Sequence, residues 1–168
     1  MLMLEYSTTD VGELRKEAVR CAGEAEIYSR DDDKAALLVC HGMKPPDKSA
    51  RKEVRKLFDG GRFGAEGGDW LFCVGLWTPE DFREEFLAWY RIEHLPMLLE
   101  CPVWDGCRFV EENIQTGCQF YAMHQLSDKK ALDSNERKRS RSTPWFKRLS
   151  KNDWFDAAFT RALYKRIP

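Results

Sequence analysis

Two periodicities run through the chain, and the places where one gives way to the other mark its elements. Residues 1–7 read as an opening strand. Val11, Leu14, Ala18, Cys21 and Ala22 then recur at helical spacing behind Thr8, Thr9 and Asp10, with Glu13 completing a capping-box-like start. They predict a helix over about 10–22. Residues 24–29 read as a strand, 30–34 as a polar turn, and 35–41 as a second, more buried strand. Lys44, Pro45, Pro46 and Asp47 break the chain before a short helix near 49–59, whose apolar stripe is Val54, Leu57 and Phe58. Residues 1–59 therefore read β-α-β-β-α.

Five glycines fall among residues 60–68. Their spacing fits neither GxGxxG nor GxxxxGK[ST], so a flexible linker is expected rather than a phosphate loop. Beyond it the signals strengthen. Trp70 to Trp77 is apolar on both alternating faces, as in a central strand covered on each side. Thr78, Pro79, Glu80 and Asp81 supply an N-cap hydroxyl, a proline at the first helical position and early acids, and predict a helix running to about Leu95. Residues 104–112 and 118–126 read as strands joined by a turn at 113–117. A helical region follows, opened at Asp133–Glu136 and reopened at Thr143–Trp145, and residues 157–165 close with a strand.

Each half is thus close to βαββα(β), the split-βαβ plan of a ferredoxin-like sheet. The fold class expected is α+β, with tandem ferredoxin-like halves over 1–59 and 69–168. A weak echo supports the repeat, since residues 37–41 and 120–124 occupy the same third strand and both end in His. The first half lacks a clear last strand, so either residues 62–66 supply a poor one or that half is eroded.

The chemistry concentrates in residues 86–106. Phe86, Tyr90 and His94 follow at steps of four on one helix face, with Trp89 and Glu93 on the adjoining line. Pro96 is expected to stop or kink that helix, which leaves His94 in its last turn. Free carbonyls and Glu93 would favour a charged imidazole there, and burial among rings a neutral one, so the two pulls oppose each other near neutrality. On the strands, Trp104, Arg108 and Phe120 share the alternation of one sheet face. The competing reading is structural: a histidine at a helix end is often a cap, and Arg108 can simply pair with an acid.

Composition narrows the classes. A net charge of −1 gives no overall attraction to nucleic acid or membrane. Its distribution says more. Residues 69–127 carry three Lys/Arg against ten Asp/Glu, and residues 128–168 carry twelve against five. Pairing within one fold or across a dimer is the expected explanation, and a basic pocket for an anionic substrate is the other. The basic run Glu136–Ser142 lacks aromatic interleaving and reads as a solvated helix face rather than a nucleic-acid patch. The six cysteines show no CxxC spacing and read as reduced core residues, with no metal site expected. No apolar run reaches membrane-spanning length, and a cytoplasmic protein is expected.

Glu85-Phe-Leu-Ala-Trp-Tyr-Arg-Ile-Glu-His-Leu-Pro96, then Cys101-Pro-Val-Trp104 with Arg108, and later Ala131-Leu-Asp-Ser134 and Thr143-Pro-Trp145, resemble the EthD-like group of dimeric α/β-barrel proteins. The likeness covers about residues 69–168. Cys101-Pro-Val103 departs from the family's usual Val-Pro-Gly, which puts the turn after the helix in doubt. The resemblance implies two ferredoxin-like sheets forming a barrel, from two halves of one chain or from two chains, and a homodimer. The wider superfamily includes muconolactone isomerases, polyketide cyclases, small monooxygenases and haem-dependent enzymes, so fold does not choose the chemistry.

The family's helix-end histidine falls on His94. The reading is then a cofactor-independent isomerase, lyase or cyclase acting on a small aromatic, lactone or polyketide-like substrate in a barrel pocket. His94 is the acid/base and Tyr90 the oxyanion or orienting group. Trp89, Glu93, Trp104, Arg108, Phe120 and His124 are the substrate-binding candidates, with Arg108 meeting an anion. A non-catalytic binding or structural oligomer is the alternative, and a haem enzyme or monooxygenase, with His94 or His124 as ligand, the third option.

Overall fold

The protein is described by a computed structural model over residues 2–6, 15, 25–30, 36–40, 54–114 and 117–167. Its strands are β1 (Leu2–Tyr6), β2 (Ala25–Arg30), β3 (Ala36–Cys40), β4 (Val54–Gly61), β5 (Trp70–Thr78), β6 (Trp104–Ile114), β7 (Gly117–Leu126) and β8 (Phe159–Arg166). They form one sheet in the order β1-β3-β2-β8-β5-β7-β6-β4, with every pairing antiparallel. The helices are α1 (Glu80–Trp89), continued by a π turn (Tyr90–His94) into α2 (Leu95–Leu99), then α3 (Asn135–Ser140) and α4 (Pro144–Leu149). The helix expected over 10–22 lies outside the described residues, apart from Arg15.

Strands β5 to β8 stand in the spatial order fourth-first-third-second, the split-βαβ arrangement. Strands β1 to β3 repeat its first-third-second part. The fourth strands link the halves: β8, beside β5 of its own half, also pairs with β2 through Tyr28↔Arg166, and β4 pairs with β6 of the other half. Tandem ferredoxin-like halves of a single chain therefore make a dimeric-α/β-barrel-type arrangement, and both links are intramolecular.

The missing last strand of the first half is β4, where the sequence had suggested a helix near 49–59. The pairing of β4 with β6 shifts register between Lys56 and Phe58. One extra residue in a strand breaks the period of two, and the result in sequence imitates the i, i+3, i+4 spacing of a helix. Thr78 also departs from expectation. It ends β5 and is buried with its hydroxyl unpaired, while Pro79 occupies the N-cap of α1 without a side-chain bond.

The glycine-rich stretch is tied down rather than flexible. Gly60 and Gly61 complete β4, and Gly64–Glu66 make a 3-10 turn. Gly61 has φ +75°, and a Cβ there would lie 2.2 Å from the Asp105 carbonyl oxygen. That close approach is one only glycine allows. Asp105 then gathers the segment. Its backbone oxygen accepts from Arg62 N at 2.7 Å, its Oδ1 from Arg62 Nη2 at 2.6 Å, and its Oδ2 from Gly68 N at 3.1 Å and from Ser127 Oγ. Gln125, wholly buried, accepts from Gly64 N and donates to the Gly68 carbonyl and to the Tyr28 hydroxyl of β2.

Two apolar clusters follow from strand alternation. Phe72, Val74 and Leu76 of β5, Cys107 and Phe109 of β6, and Phe120 and Ala122 of β7 pack under Phe86, Trp89, Tyr90, Leu95 and Leu98 of the helical layer. Leu71, Val110, Met123 and Tyr164 join Tyr28 on the opposite face. Asp105 decides the parity between them. The register of β6 on β7 skips from Trp104↔Leu126 to Gly106↔Gln125, so Asp105 is the extra residue of a bulge. Trp104 consequently shares the helix-bearing face with Cys107 and Phe109, and Arg108 falls on the other.

Replacing Asp105 by Ala strands the Gly68 N–H and the Ser127 hydroxyl. We expect a loss of about 2–3 kcal/mol of unfolding free energy in urea titrations. A loss below roughly 0.5 kcal/mol would mean that this carboxylate does not hold the segment.

Candidate active site between the helices and the sheet

The site begins with an irregularity in a helix. Pro96 has no N–H to give, yet the helix does not end at it. The turn before it widens instead, with the Leu95 N–H bonded to the Tyr90 carbonyl five residues back, and the chain continues helically to Leu99. The wider turn brings residues four and five positions before His94 alongside its ring. The Tyr90 and His94 centroids are 4.9 Å apart, and those of Trp89 and His94 are 4.8 Å apart. Phe86 stacks on Tyr90 at 5.5 Å, which extends the column.

His94 is therefore not in a last turn with open carbonyls. The expected balance of pulls near neutrality gives way to a ring whose pKa is pushed down to about 3, chiefly by burial and further by Arg141 and Arg137. A hydrogen bond with the Ser140 backbone is the one influence in the opposite direction. His94 as a residue is half-buried, but its Nδ1 is enclosed and has no hydrogen-bond partner. Across from it, His124 is 1% exposed on β7. Its Nδ1 accepts from Trp104 Nε1 at 3.2 Å, which puts the lone pair there and the ring proton on Nε2. Its pKa is also lowered to about 3, by burial first and then by His94 and Arg137. The Tyr90 phenol is held protonated, since burial raises its pKa well above 10.

These side chains line a cavity of about 70 Å³ between the helical layer and the sheet. By the measure of ~10–15 Å³ per water, that is room for about five waters or one small ring. Phe72 and Val74 form its floor with Trp104 and His124, Trp89, Tyr90 and Leu98 cover it, and Phe146, Phe155 and Phe159 close the side. Arg137, Arg141, Arg161 and Asp156 stand among the lining residues as its charged members. It lies on the helix-bearing face, whereas a barrel encloses the other.

Of the residues singled out from sequence, His94, Tyr90, Trp89, Trp104 and His124 meet at this cavity. Three do not line it. Glu93 accepts from Thr143 Oγ1 at 2.6 Å and so ties the π turn to the N-cap of α4. Phe120 is buried beside Phe86 and Phe109 in the core. Arg108, flipped by the bulge, lies over Phe63 at 4.4 Å and pairs with Asp59 at 3.3 Å.

Sequence reasoning missed the arginines. Arg137 and Arg141 belong to the run read as a solvated face, though their spacing of four puts them on one side of a helix. Arg161 is next to Val74 in the pairing of β8 with β5, on the helix-bearing face. Among the described residues, Cys101 and Cys107 are free, no group of three or more His, Cys, Asp or Glu gathers as metal ligands, and no helix is long and apolar enough to cross a membrane.

No protein-family model matches the chain, and no curated protein matches it by sequence. Solved structures do match. A heme-degrading enzyme from Listeria monocytogenes superposes with TM-score 0.65 at 12% identity, covering 98% of this chain and 97% of that one. A monooxygenase-like protein from Listeria innocua gives 0.68 at 15%, covering 98% and 92%. An anthrone oxidase-like protein gives 0.65 at 12%, covering 99% and 90%. The chain has the fold of these ferredoxin-like, dimeric-α/β-barrel proteins along nearly its whole length. At such identities the likeness carries the fold and not the chemistry.

Histidines buried neutral make stability depend on pH. In the unfolded chain each ring takes up a proton near pH 6.5, while in the fold it stays neutral down to about 3. The unfolded state then binds more protons across that interval, so stability falls as pH falls, by up to about 1.4 kcal/mol per pH unit for each ring. Asp59 and Glu111, whose carboxyls are lowered, act in the same direction only below their ordinary values of 3.8 and 4.5. From about pH 6.5 to pH 5 the histidines dominate. Urea midpoints should drop over that window. The partly accessible His94 contributes less than His124, so His124→Asn should remove at least half of the slope. A slope indifferent to that change would count against a neutral, buried His124.

Proposed function

We propose that the protein is a cofactor-independent acid/base enzyme, of isomerase, lyase or cyclase type, acting on a small aromatic or polyketide-like molecule. The observation that carries this reading is the unpaired Nδ1 of a neutral His94, held between Trp89 and Tyr90 at an aromatic cavity. A buried polar atom left without a partner costs stability, which a ligand hydroxyl or an acidic C–H would recover.

The imidazole is already in the form that a base needs. Its low proton affinity limits it to substrates that give up a proton readily, such as phenols, enols and 1,3-dicarbonyls. A substrate anion formed beside the ring would raise that affinity, since a neighbouring negative charge favours imidazolium. Tyr90, kept protonated, is suited to donate to the developing oxyanion. Two fold neighbours, a monooxygenase-like and an anthrone oxidase-like protein, are in keeping with aromatic substrates of this kind. The EthD-like motif of residues 85–96 supports the same placement of the histidine. The two halves of one chain make the dimeric-α/β-barrel-type arrangement, and the homodimer that the resemblance implies is proposed in addition to it.

Haem, named for one neighbour, fits these residues poorly as they stand. A porphyrin is far larger than a space for about five waters. His124 Nδ1 already accepts from Trp104.

The test is turnover of enolisable aromatic ketones, lactones and hydroxyarenes by the wild type and by His94→Gln. We expect the variant to lose about 10²- to 10⁴-fold in kcat, the usual share of a general base, with a melting temperature within a few degrees of the wild type. Full activity in the variant sinks the acid/base role, and binding without turnover leaves a ligand-binding protein. A Soret shift on adding hemin, lost in the same variant, would establish the haem option in its place.

A further inference from the structure

We propose that the cavity is built for an aromatic carboxylate, with the ring among the aromatic side chains and the carboxylate held by Arg137, Arg141 and Arg161. The inference rests on the cavity being the small-molecule site and adds the charge and class of what it takes.

The first support is a charge mismatch. The basic segment 128–168 faces the acidic segment 69–127, and several of its arginines are neutralised by it. Arg139 pairs with Glu100, Arg148 with Glu85 at 2.6 Å, and Arg166 approaches Asp69 at 3.7 Å. Arg137, Arg141 and Arg161 form no ion pair among the described residues, although all three line one cavity. Asp156 is the one carboxylate that lines it with them. Three guanidiniums against one acid leave a surplus of positive charge where the surrounding chain had acids to spend elsewhere.

The second support is that this surplus is held in place. Arg137 donates to the Leu132 carbonyl and lies 5.9 Å from the Phe72 centroid. Arg141 lies 5.9 Å from Phe146, and Arg161 lies 5.0 Å from Phe159. These distances are within cation-π reach, so the forks are partly ordered before any ligand arrives. Burial and mutual repulsion lower the pKa of Arg137 and of Arg161, the electrostatic sign of cations waiting for an anion. A planar carboxylate matches a guanidinium fork bidentately.

The third support comes from the interior. Trp89 Nε1 and His94 Nδ1 are both buried without partners, on neighbouring rings that line the cavity. One is a donor and the other an acceptor. A ring that carries a hydroxyl or oxo group besides its carboxylate satisfies either, which an unfunctionalised hydrocarbon does not. The cavity's size limits the enclosed part to about one ring.

Benzoate, 2-hydroxybenzoate and the neutral isostere benzamide test the point by calorimetric or ligand-observed NMR titration of the full chain at pH 7. We expect both acids to bind at least about tenfold more tightly than benzamide, with 2-hydroxybenzoate the tightest. The double variant Arg141→Gln/Arg161→Gln changes two exposed side chains. It should lose about tenfold for the acids, leave benzamide unchanged and keep its melting temperature. Equal affinity for acid and amide, acid binding untouched by the double variant, or no binding of any of the three overturns the proposal. His94→Gln separates it from the acid/base reading. If that variant keeps turnover while acids still need the arginines, the base role fails and the carboxylate site stands. If it loses turnover while acids bind no better than benzamide, the reverse holds.

Discussion

Asp105 is one residue more than β6 needs to match β7, and most of the site depends on where that residue is put. The bulge turns Trp104 toward His124, fixing the tautomer of the buried imidazole, and sends Arg108 to the other side of the sheet. The displaced Asp105 is not idle. It meets the N–H groups and the guanidinium of the glycine-rich segment, so the same irregularity that sets the parity of the floor also anchors the connection between the halves. Gly61 and Gly106 are the counterpart: a Cβ on Gly61 would meet the Asp105 carbonyl, and one on Gly106 the Arg62 carbonyl, each at 2.2 Å.

The helical layer solves a matching problem by the same device. A proline two residues after His94 would ordinarily end the helix or kink it. A single π turn removes the demand for the missing hydrogen bond and rotates the following residues, so Leu95 and Leu98 remain in the core while His94 is flanked by two rings rather than one. The tie from Thr143 to Glu93 then fixes α4 to this turn. Sheet and helix thus each carry one inserted residue's worth of irregularity, and the cavity lies between them.

This explains what could be read from the sequence and what could not. The strands β5, β7 and β8 and the helix from residue 80 rest on strong periodic signals and are where those signals put them; Trp89, Tyr90, His94, Trp104 and His124 line one cavity, but it lies on the helix-bearing face rather than inside a barrel, with His124 buried rather than at an open strand end. Arg108 was misplaced, and β4 was taken for a helix, for a common reason. A one-residue offset inverts every later position in a strand, and nothing in the local pattern announces it. Arg137 and Arg141 failed differently. Their i, i+4 spacing was legible, but a run of charges reads as a solvated face until the fold shows a cavity beneath it.

The arginines and the histidines are best understood together. Cations beside a neutral imidazole oppose its protonation, and this adds to the burial that has already lowered both rings. The same cations favour any anion that enters. An anion at the mouth would offset the guanidiniums, so part of the depression at His94 is relieved when the site fills. If His94 is the base, ligand charge and base strength are coupled by plain electrostatics: an imidazole that is weak beside the guanidiniums alone would be strengthened by an anion in the cavity. A neutral ligand of the same shape would leave the imidazole as weak as before until its own proton left, so on the proposed reading a carboxylate on the ligand and the anion formed from it would act in the same direction.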